Sequence, residues 1–335
     1  MPLDADAQAI LNYFAKYNAP AITGLTPHTA RKLPTLKNAV EEMTAENPAA
    51  RAAAMIKPMP RPVGSITHQL IPSLNGDILA RIYTPKGDGP FTVIVYFHGG
   101  GWVIANLEVY DSSCRALCND ANSIVISVAY RQAPEYKYPA AVEDAYAATQ
   151  WAIEHAAEFN GVPTFVAVAG ESAGGNLAAV TCLKAKKEGG FMPAAQLLIY
   201  PVTDARMNTA SYSECADAAP LNAAMMPWFW DHYLENESQG LEPYASPLLA
   251  KDLSGLPPAV VITAEHDPLR DEGEAYAEKL KQAGVPVRMK RFDGVMHEFF
   301  GLSGVVAKAA QAVTEASQGL EEAFESVRVG KLRTV

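Results

Sequence analysis

The chain has 335 residues, with 27 lysines and arginines against 37 aspartates and glutamates, and its net charge of −10 disfavours nonspecific attraction to nucleic acid or anionic lipid. That length suffices for one large α/β domain with an accessory element or for two ordinary domains, and the charge balance suits a small neutral or apolar partner. No run approaches the roughly 18 apolar residues of a membrane span. The N-terminal MPLDADAQAILNYFAKY lacks a basic region followed by an apolar one, so the sequence reads as cytoplasmic, without nucleic acid and without stable membrane anchoring.

In chain order, residues 1 to about 50 read as two helices. The first presents Ile10, Phe14 and Tyr17 on one face, and Thr26 and Pro27 open the second. The runs SITHQLI (65–71) and DILARIYT (77–84) flank Asn75-Gly76, a turn signal that predicts an antiparallel hairpin. Six further runs follow: FTVIVYF (91–97), SIVISVAY (123–130), TFVAVAG (164–170), AQLLIYP (195–201), AVVITA (259–264) and VRMKRFD (287–293). Continuous rather than alternating apolarity marks strands covered on both faces, and the intervening lengths suit crossover helices. The fold class is therefore α/β, a doubly wound, mostly parallel sheet, whose ligands sit beyond the carboxyl ends of the strands.

From 205 to about 245 no strand pattern appears. The cluster MMPWFWDHYL (225–234) is read either as plain helix core or as a helical cap over the strand ends that lines a pocket with part of its bulk. Cys114 and Cys118 share a helix face as small buried hydrophobes, and the four cysteines form neither a CxxC pair nor a zinc spacing.

After TFVAVAG stands GESAGGN (170–176). GxSxG between a buried strand and a helix is a nucleophile elbow, a tight strained turn that lifts the serine hydroxyl above the sheet, and it makes Ser172 the candidate nucleophile. A serine needs a base, and in this arrangement an acid and then a histidine follow it along the chain. Asp267 is the candidate acid, with Glu265, Asp271 and Glu272 as rivals. His297 alone of the seven histidines lies beyond the last strand; His28, His68, His155 and His232 fall on helices or the hairpin, and His266 adjoins the acid.

The run FHGGGW (97–102) supplies bare peptide N–H groups, and Gly99, Gly100 and Ala173 are the candidate donors to an oxyanion. A phosphate cradle would need GxxxxGK[ST] or GxGxxG, and a zinc hydrolase would need HExxH; none is present, so neither cofactor nor metal is expected.

The ordered motifs HGGGW, YRQAPEYKYPAAVED (130–144), GESAGGN, YPVTD (200–204), SPLLA (246–250), DPLRDEG (267–273) and FDGVMHEF (292–299) resemble the hormone-sensitive lipase family of bacterial carboxylesterases over roughly residues 65–305. The resemblance implies an α/β-hydrolase fold: an eight-stranded, mostly parallel sheet with helices on both faces and a helical cap. It divides the chain into an N-terminal cap part (1–50) and a catalytic domain (51–335) with a cap insertion at about 205–245. It also implies Ser172, Asp267 and His297 as the triad, a small-molecule short- to medium-chain acyl ester as substrate, and frequent homodimers.

A ligand-binding receptor, a dehydratase, a lactonase or an amidase are the competing uses of such a pocket. Two residues depart from the family pattern, Glu171 before the serine and Glu298 after the histidine. A carboxylate beside His297 would raise the histidine pKa. Tyr130, Arg131 and Glu135 are expected to form a structural network, and Trp102 to pack either at the pocket mouth or in the core.

Overall fold

Each run read as a strand takes its place in one sheet in the computed structural model, which describes residues 1–46 and 60–332. β1 (Ser65–Ile71) and β2 (Ile78–Thr84) form the expected antiparallel hairpin, and β2 pairs antiparallel with β4 (Ser123–Val128). The parallel strands are β3 (Phe91–Phe97), β4, β5 (Gly161–Glu171), β6 (Ala195–Ile199), β7 (Ala259–His266) and β8 (Val287–Met296), and the spatial order is β1-β2-β4-β3-β5-β6-β7-β8. β4 and β6 are buried along their whole length, as their continuous apolarity predicts, whereas the edge strand β1 is largely exposed.

Alternate side chains of β3 divide between two cores. Val93, Val95 and Phe97 enter one, with α5 (Ala140–His155), α6 (Ala173–Glu188) and α9 (Arg270–Gln282) packed over it. Ile94 and Tyr96 enter the other, covered by α4 (Asp111–Asp120) and α10 (Ala307–Leu332). Cys114 and Cys118 are buried in α4, and all four cysteines are free.

The N-terminal segment corrects the two-helix reading. α1 (Ala5–Ala15) buries Ala7, Ile10 and Leu11, with Phe14 half-buried beside them. Tyr17 lies beyond its end, just before Asn18 with a left-handed φ of 44°, a common way to stop a helix. The helix that Thr26 caps, α2 (Pro27–Ala30), makes one turn, its Thr29 N–H donating to the Thr26 hydroxyl at 3.4 Å. Pro34 disfavours helical geometry at Leu33, and a third helix, α3 (Leu36–Glu46), follows. Residues 47–50 of the expected N-terminal part, and 51–59 and 333–335 of the expected catalytic domain, lie outside the described residues.

Residues 205–245 hold α7 (Ala210–Glu214) and α8 (Met225–Tyr233) and no strand. α8 splits its aromatic bulk. Trp102 stacks on Tyr233 with ring centroids 4.1 Å apart and planes 4° apart, and lies 4.7 Å from Trp230, so Trp102 takes the core role and not the pocket mouth. The Trp228 indole N–H donates to the Leu25 carbonyl at 3.2 Å and so ties α8 to the N-terminal segment.

Tyr130, Arg131 and Glu135 do not form the single network expected of them. The Tyr130 hydroxyl donates to the His98 carbonyl at 2.8 Å, Arg131 pairs with Asp144 at 2.8 Å, and Glu135 accepts from Arg31 at 2.6 Å. Each pins a different element because the three side chains leave the loop in different directions.

Removing a fully buried indole from an aromatic stack leaves a cavity that a tight core refills poorly, at a cost of about 3–5 kcal/mol. Trp102→Ala is expected to lower the urea midpoint by a corresponding amount at unchanged m value; an unchanged midpoint would remove the clamp from the fold's stability.

Candidate active site

Ser172 stands between the last residue of β5 and the first of α6, with φ 57° and ψ −119°, a strained backbone that the surrounding packing must enforce. The enforcement is steric. A Cβ at Gly174 would drive into the Phe97 carbonyl at the end of β3, so only glycine lets α6 start this close to the neighbouring strand.

The structure brings Ser172, His297 and Asp267 together. The Ser172 Oγ lies 3.0 Å from His297 Nε2, and the other ring nitrogen, Nδ1, lies 2.7 Å from Asp267 Oδ2. An ionised carboxylate can only accept, so Nδ1 carries the proton and leaves Nε2 free to accept from the serine hydroxyl. The second Asp267 oxygen accepts from the Leu269 N–H at 2.9 Å, which holds the carboxylate in place. All three side chains are buried.

The rival acids are engaged elsewhere. Glu265 accepts from the N-terminal amine and from the Gly294 N–H, Asp271 from Arg270 and the Ser211 N–H, and Glu272 from the N–H groups of Thr203 and Asp204. Burial, only partly offset by those hydrogen bonds, pushes Glu272 up to about 8. His266 remains a neighbour, 3.7 Å from Glu265.

The glycine loop follows β3. His98 is buried between Tyr130 and Tyr110, and burial lowers its pKa to about 4, so a neutral ring donates from Nδ1 to the Gly99 carbonyl at 2.8 Å. Gly100 has φ 96°, and a Cβ there would strike the Ile104 carbonyl. Among the described residues, no hydrogen bond within the protein engages the N–H groups of Gly99, Gly100 or Ala173. A cavity of about 410 Å³ opens here, bordered by Gly100, Gly101, Ser172, Phe229, His297 and Glu298. Phe229 thus supplies pocket wall while Trp230 and Tyr233 of the same helix pack against Trp102.

Two further carboxylates surround the histidine. Glu171 is buried and accepts from the Tyr96 hydroxyl at 2.5 Å and from Tyr200; burial raises its pKa against the pull of these hydrogen bonds. Glu298, in a left-handed conformation with φ 63°, accepts from the Tyr110 hydroxyl at 3.1 Å. For His297, burial pulls the pKa down, but the charge and hydrogen bond of Asp267, with smaller contributions from Glu298 and Glu171, outweigh it and leave the pKa raised. Tyr96, Tyr110 and Tyr200 escaped the sequence reading; the available signal was a phenol at or just beyond the end of an apolar strand, in Tyr96 and Tyr200. Among the described residues no group of three or more His, Cys, Asp or Glu side chains forms a metal-ligand set, and no helix is long and apolar enough to cross a membrane.

The sequence profile of the α/β-hydrolase fold family matches residues 94–301. The carboxylic ester hydrolase LipN of Mycobacterium tuberculosis is 42% identical over 281 residues, 82% of this chain and 75% of the relative. The ethyl acetate hydrolase of Pseudomonas putida is 36% identical over 247 residues, 72% of this chain and 77% of the relative. Among solved structures, an esterase of Pyrobaculum calidifontis superposes with a TM-score of 0.82 at 37% identity, covering 96% of this chain and 99% of its own. With its eight-stranded sheet, elbow and glycine loop in the expected order, the chain belongs to the α/β-hydrolase fold family, in the hormone-sensitive lipase group, and is a carboxylic ester hydrolase.

Proposed function

We propose that the chain is a serine carboxylesterase that hydrolyses short- to medium-chain acyl esters through an acyl-enzyme, with Ser172 as nucleophile. The observation that carries this reading is the unbroken hydrogen-bond path from Ser172 through His297 to Asp267. His297 Nε2 takes the hydroxyl proton as Ser172 Oγ attacks the ester carbonyl, and Asp267 stabilises the imidazolium that forms.

The carbonyl oxygen, now negative, is met by the N–H groups of Gly99, Gly100 and Ala173, which need no reorganisation to receive it. Collapse breaks the bond to the alcohol, which leaves with the proton from Nε2. Water then attacks the acyl-serine and gives a proton to His297; Nε2 passes that proton to Ser172 Oγ as the acyl bond breaks, and the released acid loses its own proton to solvent as a carboxylate. The N-terminal segment and residues 205–245 act together as the cap, a role supported by the Trp228 to Leu25 hydrogen bond and by their shared lining of the 410 Å³ cavity. Short acyl chains are favoured by the size of that cavity and by the name of the Pseudomonas putida relative. A receptor use would require a missing triad member, and all three are present.

Ser172→Ala should lower kcat on the order of a million-fold at intact fold, and near-normal ester turnover by the purified variant would refute the assignment. Asp267→Asn, which leaves the ring in the wrong tautomer, should lower kcat by about 10⁴. A chromogenic panel of graded acyl length, run beside a lactone and an amide, tests the substrate class: a maximum at short to medium esters is expected, and a preference for lactone or amide would displace this reading.

The pH profile tests the charge around the base. His297 must be neutral to act, so activity falls as pH drops through its raised pKa. Glu298→Gly removes one of the charges that favour the imidazolium, so the acidic limb of kcat/KM should move to lower pH. An unmoved limb would show that Glu298 does not bear on His297.

A further inference from the structure

Among the described residues, two other than His297 bring formal charge to the wall of the pocket that holds Ser172, namely Arg31 and Glu298. They are not equivalent. The Arg31 guanidinium is forked onto Glu135 at 2.7 and 2.6 Å, and two further donors go to the carbonyls of Val103 and Ala133, both at 2.8 Å. Its charge is cancelled and four of its five donors are engaged inside the protein.

Glu298 has no such cancellation. Its left-handed backbone turns the chain immediately after His297 and leaves it half-buried at the cavity, and its partner is the neutral Tyr110 hydroxyl at 3.1 Å. A second cavity of about 530 Å³ shares the Glu298 wall and lacks Ser172 and His297; it is bordered by Lys37, Arg81 and Arg115. Each of these cations is already paired: Lys37 with Glu108 at 3.0 Å, Arg81 with Glu108 and Asp111 at 3.0 and 3.4 Å, and Arg115 with Asp111 at 2.6 Å. Among the described residues, no cation lies within ion-pairing distance of the Glu298 carboxylate. The net charge of −10 adds a field of the same sign.

We propose that Glu298 is a specificity-determining residue that sorts esters by charge: it favours neutral and cationic esters, disfavours esters bearing an anionic group, and repels the carboxylate that hydrolysis releases. The proposal rests on the serine esterase reading above. No new bond is made at Glu298; the effect is Coulombic, so it acts on whichever arm of the substrate carries the charge and weakens as salt screens it.

The test compares the natural chain with Glu298→Gln at low and high salt. One substrate pair is the choline ester of butyric acid and its uncharged carbon isostere; the other is phenyl hemisuccinate and the corresponding neutral amide, phenyl succinamate. For a charge held roughly 8 Å away in a partly wetted pocket, the cationic to neutral ratio of kcat/KM should fall by roughly three- to tenfold in the variant, and the anionic to neutral ratio should rise by a similar factor. Butyrate should inhibit the variant more strongly than the natural chain.

In the natural chain alone, high salt should move both ratios in the same directions as the substitution. Equal ratios in the two proteins overturn the proposal, and so does a uniform loss across all four esters, the result of a purely structural role. If Glu298→Gln does not fold, salt-independent ratios in the natural chain overturn it. Turnover of neutral esters that Ser172→Ala abolishes, with no charge discrimination, removes the selection and leaves the esterase reading standing; absence of turnover on every ester removes both.

Discussion

The close approach of α6 to the end of β3 is the constraint on which the site depends. Ser172 holds an unfavourable backbone conformation, its N–H donating to the Ile199 carbonyl at 2.9 Å and its carbonyl accepting from the Asn176 and Val202 N–H groups at 3.0 and 3.2 Å. It persists because β5 and β3 are adjacent parallel strands and Gly174 lets the helix backbone sit against the Phe97 carbonyl. The same contact sets the distance between the two N–H sources, since Ala173 opens the helix and Gly99 and Gly100 open the loop that leaves β3. A single steric requirement thus places the Ser172 hydroxyl over the sheet and the N–H groups of Gly99, Gly100 and Ala173 beside it. The remaining partners arrive because β7 and β8 run parallel to β5, so that Asp267 and His297 emerge at the same carboxyl edge.

The electrostatics of that edge are a competition between burial and charge. A buried imidazole by itself would be held neutral too firmly to accept a proton, as His98 demonstrates at about 4. His297 is buried equally deeply, yet its pKa lies above the ordinary value because Asp267 offers both a charge and a 2.7 Å hydrogen bond. Two histidines in one protein therefore end on opposite sides of the solution value, and the carboxylate is the difference. Glu171 meets the opposite demand: a carboxyl group without a cation is tolerated in the core because Tyr96 and Tyr200 donate to it.

What was legible in the sequence is what local pattern encodes. Continuous apolarity located the six later strands and the Asn75-Gly76 turn signal the hairpin of the first two, with ends that differ by a few residues where strands such as β8 run on into the loops beyond the sheet. Ser172 and His297 could be read from strand context and chain order. Asp267 could not be separated from Glu265, Asp271 and Glu272 by spacing, because four carboxyl groups lie within eight residues at the end of β7 and only the three-dimensional direction of each decides which meets the imidazole. The pairings that escaped, Arg31 with Glu135 and Tyr110 with Glu298, join residues 104 and 188 positions apart, so no window along the chain contains both partners. The third N-terminal helix escaped for a local reason, since Pro34 divides a segment whose amphipathic pattern reads as continuous.

The clamp between Trp102 and α8 links the shape of the cavity to the placement of the glycine loop. Trp102 is the residue after the glycine run, and it is held against Tyr233 and Trp230, whereas Phe229 of the same helix faces the cavity. A helix turn is rigid on the scale of these contacts, so a change that shifts Phe229 to reshape the cavity also shifts the aromatic surface on which the glycine loop rests. Gly101 sits directly beneath Phe229 with no room for a Cβ, which leaves the loop little freedom to adjust independently. Cavity volume and glycine-loop placement are for that reason coupled through one helix. Under the proposed mechanism, substitutions within 225–234 that alter acyl preference are expected to alter kcat as well as KM, because N–H groups that receive the oxyanion act on the transition state and not on the bound ester alone.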